Sequence, residues 1–175
     1  MSYRKKFDAR ALTMLGLFIA VEVVLSRFCS ISAWNVKIGL GFLPVAAAAL
    51  LYGPLSAGIV GALSDFLGAT LFPIGPYFPG FTFTSFLTGV VFGLFLYRRQ
   101  SAPRILGAVA VNQLILSLVL NTFWISFLYG SPFLSLMPVR LLQCAVLAPV
   151  QFLTIGVMRR RPPGFPARPS AGKGP

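Results

Sequence analysis

The chain has 175 residues, is 57% hydrophobic and only 10% charged, and carries a formal charge of +12. That composition points to an integral membrane protein, and because the bases flank apolar segments instead of a groove-reading fold, it excludes nucleic acid as a partner. The absence of histidine excludes histidine-based catalysis and histidine metal sites.

Residues 1–10 form a basic arm with Arg4, Lys5, Lys6 and Arg10. The first apolar segment, about Ala11 to Phe28, is long enough to span a hydrocarbon core. Glu22 interrupts it and no small-residue cleavage site follows, so it reads as a retained helix and not a signal peptide. Gly16 and Ala20 form a small-xxx-small pair that lets another helix approach closely. Arg27 ends this helix. A polar connection, Cys29 to Val36, contains Trp34 and leads to a second helix expected from Lys37 to Tyr52, kinked or interrupted at Pro44. Gly53-Pro54 makes a tight turn into a third helix, about Leu55 to Phe72, which carries Asp65. An acid inside a membrane-length segment is costly and marks a functional site by default.

The loop from Pro73 to Gly80 is fixed by prolines and rich in aromatics, among them Tyr77 and Phe78, and suits a lid. A fourth helix follows from about Phe81 to Tyr97, a fifth from about Ile105 to Tyr129, and a sixth from about Phe133 to Met158, interrupted by Pro138 and Pro149. The fifth carries Asn112, Gln113, Asn121 and Trp124, and the sixth carries Arg140 and Gln143. The tail, 159–175, is basic, rich in Pro and Gly, and expected to be disordered. The pattern therefore predicts an all-α membrane protein: a six-helix membrane domain over residues 11–158, between a basic arm and a basic tail. Both termini and the Arg98–Arg104 connection fall on one side, which the positive-inside rule makes cytoplasmic in a plasma-membrane protein.

In that topology Arg27, Lys37, Asp65, Asn121, Trp124 and Arg140 fall in one outer layer, beneath Trp34, Tyr77 and Phe78, with Glu22 slightly deeper. Apolar walls with a few placed polar groups are what a ligand cavity open to the outside needs. Taken one at a time, these residues have plainer readings. Asp65 would pair with Arg140 or Lys37, Glu22 would pair with Arg27, the cations would snorkel, and the aromatics would sit in an interface belt. Cys29 and Cys144 have no metal spacing and are expected to be free; neither a metal nor another cofactor is implied. The chain has no GxxxxGK[ST] phosphate loop, no GxSxG elbow, no filter and no paired broken helices, so a transporter of this size needs a partner to supply energy.

Four stretches carry a specific resemblance: Asn35-Val-Lys-Ile-Gly-Leu-Gly-Phe-Leu-Pro44, Tyr52-Gly-Pro54, Gly61-Ala-Leu-Ser-Asp65-Phe-Leu-Gly-Ala69 and Leu71-Phe-Pro-Ile-Gly-Pro-Tyr-Phe-Pro-Gly-Phe81. Together they resemble the substrate-binding S components of energy-coupling factor (ECF) transporters, and within these the folate-specific family. The resemblance implies a non-catalytic six-helix subunit that captures folate from outside and docks on a membrane coupling subunit with two ATPases. It also implies that the small pair on helix one, here Gly16 and Ala20, meets the coupling subunit.

Folate offers two carboxylates and a flat pterin. Arg27, Lys37 and Arg140 are then carboxylate partners. Asp65 would accept a paired hydrogen bond from the pterin amine and ring nitrogen, and Trp34, Tyr77, Phe78, Phe81 or Trp124 would stack on its rings. Three other readings stay open: an S component for another vitamin or pterin, a membrane enzyme using Asp65 and Glu22 as acid and base, and an assembly subunit with no ligand of its own.

Overall fold

The computed structural model describes residues 9–33, 36–73, 75–97 and 101–160, and side-chain surroundings within these except at 31–38 and 159–160. Most of the basic arm, the tail beyond residue 160, Trp34 and the side chain of Lys37 lie outside that description.

Helices dominate: α1 (Ala9–Arg27), α2 (Phe42–Tyr52), α3 (Pro54–Leu71), α4 (Pro79–Leu96), α5 (Ala102–Tyr129) and α6 (Phe133–Arg160). Five are long and apolar enough to cross a membrane; α2 is shorter. The outward faces of the long helices expose leucine, valine and phenylalanine along their whole lengths, as lipid-facing helices do.

Three sequence expectations change. The second helix begins at Phe42 and not at Lys37, because β1 (Ile31–Ala33) and β2 (Val36–Ile38) pair as antiparallel strands, with Ser32 opposite Lys37. Lys37 is therefore a strand residue. Pro44 does not kink α2, since it falls in the first turn, where the helix needs no N–H from it. Helix α6 continues through Pro138 and Pro149 without a break; in a bundle, neighbouring side chains and small backbone adjustments compensate the lost bonds.

The dry core gathers at one end of the bundle. Ala46, Ala48 and Ala49 of α2 meet Ala57 and Val60 of α3, Phe92 and Leu96 of α4, Ile105, Ala108 and Val109 of α5 and Ile155 of α6. Helices have no hydrophobic drive toward one another in lipid, so they need close backbone contact. Glycine supplies it between α3 and α4. A Cβ on Gly89 would run into the Ala57 carbonyl, one on Gly93 into the Pro54 backbone, and one on Gly61 would lie 2.5 Å from the Ser85 carbonyl oxygen. Two further glycines serve turns: Gly53 (φ 93°) between α2 and α3, and Gly130 (φ 62°) between α5 and α6.

Candidate functional site

At the other end α1, α3, α4, α5 and α6 spread around a cavity of about 440 Å³, within the size range of small-molecule sites. Each wall comes from a different element. The end of α1 contributes Glu22 and Arg27, α3 contributes Asp65 and Ala69, and the connection before α4 contributes Tyr77 and Phe78. Phe81, Ser85 and Thr88 follow from α4.

Asp65 is held from the next helix. Thr82 Oγ1 lies 2.8 Å from Asp65 Oδ2 and 3.3 Å from the Tyr77 hydroxyl. One hydroxyl carries one proton and a carboxylate only accepts, so Thr82 donates to Asp65 and the Tyr77 phenol donates to Thr82. The loop is thereby tied to the acid. Arg27 crosses α3 at Gly68, where an added Cβ would sit 2.7 Å from Arg27 Nε. Phe78 fixes the far side of the loop, its ring 5.4 Å from Trp124, 6.1 Å from Phe81 and 6.1 Å from Phe127. Trp124 does not itself line the cavity; it stands behind Phe78, with its indole N–H donating to Thr84 Oγ1 at 3.1 Å.

A further wall is α6, where Arg140, Gln143, Leu147 and Gln151 follow one another at spacings of three and four residues on a single face. The facing wall is the middle of α5, and its backbone is unusual. Val111–Asn121 is wound as a π-helix, a form rare beyond single turns and frequent at functional sites. The winding decides which residues share the wall. At about 100° per residue, Asn112 and Asn121 would point to opposite sides of an α-helix. At roughly 4.4 residues per turn, the consequence of i→i+5 bonding, they return to the same side. Asn112, Gln113, Ser117 and Asn121 accordingly line one cavity. The thiol of Cys144 donates to the Gln113 carbonyl at 3.3 Å and links the two walls.

Of the residues singled out from the sequence, Arg27, Asp65, Tyr77, Phe78, Phe81, Asn121 and Arg140 meet around this cavity. Asp65 and Arg140 share it without forming an ion pair, so the pairing of these two expected from membrane cost alone is absent. Gly16 and Ala20 lie elsewhere, exposed on α1, with open space where a Gly16 side chain would be. The expectation of one polar layer is also too narrow. Asp65 lies about 9 Å from its end of α3 and Arg140 about 10 Å from its end of α6, but Gln151 lies about 27 Å along α6. Asn112, Gln113, Gln143 and Gln151 thus form a deep floor, and the spacing on α6 was the legible signal for half of it.

Among the described residues no group of histidine, cysteine and acidic side chains could hold a metal ion. Several lining atoms are buried without a hydrogen-bond partner among the described residues: Arg27 Nε, Arg140 Nε, both amide atoms of Asn112, and Oε1 of Gln113 and of Gln151.

A family model described as "ECF-type riboflavin transporter, S component" matches residues 6–157. A protein of Clostridium novyi described as "Folate transporter FolT" is 41% identical over 142 residues, 81% of this chain and 83% of that protein. A protein of the same description from Leuconostoc mesenteroides is 29% identical over 153 residues, 83% of this chain and 82% of that protein. A solved structure described as "Crystal structure of FolT bound with folic acid" superimposes with a TM-score of 0.82 at 30% identity, covering 86% of this chain and 93% of that one.

Proposed function

The chain belongs to the S components of ECF transporters, and from that membership we propose that it is the folate-binding subunit of such an importer. It captures folate or a related pterin from outside and passes it through a coupling subunit driven by two partner ATPases. Six helices cross the plasma membrane with both termini cytoplasmic, and the cavity opens outward beside the Pro73–Gly80 connection. The subunit is not an enzyme.

One observation carries the ligand reading. Arg140 is 6% exposed in the cavity, and its Nε has no partner among the described residues. A buried cation is stable only with an anion or its equivalent. The chain has only three acidic residues, and neither α5 nor α6 carries one. Glu22 and Asp65 line the same cavity, but Asp65 is already bonded by Thr82 and makes no ion pair with Arg140; the two carboxylates of folate supply the counter-charge to Arg140 and Arg27, with Lys37 as a third cation. Asp65 accepts from ligand N–H groups. Trp34, Tyr77, Phe78, Phe81 and Asn121 complete the site, and Trp124 supports Phe78. Gly16 and Ala20 give the face on which the coupling subunit docks.

The family model's description favours riboflavin as a second reading. Riboflavin carries no carboxylate and so brings no anion to Arg27 and Arg140. Calorimetric titration of the purified chain in detergent, after growth in folate-depleted medium, decides between them. Saturation near one folate per chain, with no response to riboflavin, thiamine or biotin, is expected. A folded, monodisperse sample that ignores folate would overturn the assignment.

A further inference from the structure

Away from the cavity, the surface of the bundle holds a second hollow, a groove of about 280 Å³ between α1, α2 and α6. Leu17, Val21 and Leu25 of α1 form one bank and Met158 of α6 the other. Pro44 and Ala47 of α2, the helix that touches both, form the floor. Every lining side chain is apolar. The hollow exists because the floor residues are short and buried while the banks stand out from them: Leu17 is 52% exposed and Val21 39%. Space that no atom fills forfeits dispersion contacts, so in a membrane something apolar lies there.

The charges at one end of the groove indicate what. Arg10 is exposed in the first turn of α1. At 100° per residue it shares a face with Leu17 and Val21, to within about 20°. From Arg10 this stripe rises about 10 Å to Leu17 and about 16 Å to Val21. That is the depth of one leaflet, half of a hydrocarbon core about 30 Å thick. On the other bank, α6 ends two residues past Met158, at Arg159 and Arg160. The flanking sequence adds Arg4, Lys5 and Lys6 on one side and Arg161 on the other, against a single acid, Asp8. An apolar slot one leaflet deep under a cationic rim is complementary to a phospholipid of net negative charge.

We propose that the groove seats one acyl chain of an anionic phospholipid, drawn from the leaflet on the side of the chain termini, with its phosphate at Arg10 and the arginines that end α6. The lipid needs neither the folate cavity nor a coupling subunit. Gly16 and Ala20 lie about 100° round α1 from this stripe, so the lipid and the docking partner proposed above use separate faces.

Native mass spectrometry counts the bound lipids. The full chain is delipidated in detergent and then given phosphatidylglycerol or phosphatidylcholine with matched acyl chains. One phosphatidylglycerol per chain is expected to stay bound, with a preference of about tenfold over phosphatidylcholine. Arg10→Gln is expected to cut that preference about fivefold and to leave the weaker phosphatidylcholine binding unchanged. Ala47→Leu fills the groove from its floor and Val21→Trp from its bank, and each is expected to abolish retention of both lipids. Lipid-free melting temperature controls for folding; if Ala47→Leu does not fold, Val21→Trp, on an exposed position, tests the same groove. Arg104→Gln removes an exposed base at the same end of the bundle but on α5, and it should change nothing. Equal retention of the two lipids would overturn the anionic assignment. An equal loss in Arg104→Gln would reduce the preference to a diffuse basic belt, and unchanged retention in the groove variants would remove the site. A dimer of the chain that disappears in Val21→Trp would give the groove to a second copy instead. Assembly with the coupling subunit that fails in Val21→Trp while lipid retention holds would give it to that partner.

Discussion

The two ends of the bundle use the same helices for opposite purposes. In α3, Ala57 and Val60 are fully buried and an added Cβ on Gly58 or Gly61 would collide with α4, whereas Asp65, a turn further on, faces a cavity. In α5, Ile105, Ala108 and Val109 are sealed in the dry core, whereas immediately beyond them both amide atoms of Asn112 and Oε1 of Gln113 are buried without a hydrogen-bond partner among the described residues. Small apolar side chains let backbones meet and so fix the frame in lipid. Large polar side chains on the same rods hold the walls apart and concentrate unsatisfied hydrogen-bonding capacity in the space between. Stability and recognition are thus separated along each helix, and substitutions at the two ends should fail in different ways.

The largest effect is expected at the packed end. In Gly89→Val the new side chain is driven into the Ala57 carbonyl, and over-packing of this kind costs about 3 kcal/mol or more. Thermal unfolding followed by size-exclusion chromatography should show a strongly destabilised chain; a wild-type melting profile would mean that α3 and α4 are not packed backbone to backbone.

At the open end, Arg140→Gln should leave melting unchanged and cost about a hundredfold in folate affinity, the equivalent of roughly 2–3 kcal/mol for a charge-assisted hydrogen bond. The loss should be confined to ligands that carry the glutamate. An equal loss for pteroate would place Arg140 against another part of the ligand.

A smaller effect is expected at Thr82, which touches Asp65 and Tyr77 without lining the cavity itself. Thr82→Val releases the Asp65 carboxylate and should weaken folate by about tenfold, while Thr82→Ser, which keeps the hydroxyl, should restore it. Failure of the serine to rescue would show that the methyl group, and not the hydrogen bond, matters.

The smallest effect on binding belongs to a residue outside both regions. Ala20 is exposed on α1. Ala20→Trp should leave both melting and folate affinity within about twofold of wild type, as surface substitutions usually do, yet abolish uptake in cells that supply the coupling module. Normal uptake by that variant would remove the docking face from α1.

By itself the sequence determined the membrane class, the order and approximate bounds of the long helices, and the mouth of the cavity. Apolar length, basic flanks, Gly53-Pro54 and an acid at Asp65 are local signals, each readable without knowing what packs nearby. Tertiary structure decided the rest. The pairing of β1 with β2 joins residues on two short segments and does not depend on apolar length, so the run from Lys37 reads as helix until Ile31 is seen opposite Ile38. Trp124, an evident stacking candidate, is turned behind Phe78 by a bond to Thr84, forty residues away in the chain. The floor was the least legible part. Asn112 and Asn121 lie on opposite faces of any ideal α-helix, and only the wider winding of α5 brings them to one wall. A residue pattern fixes a face only when the helical period is known, and here the period itself is a property of the fold.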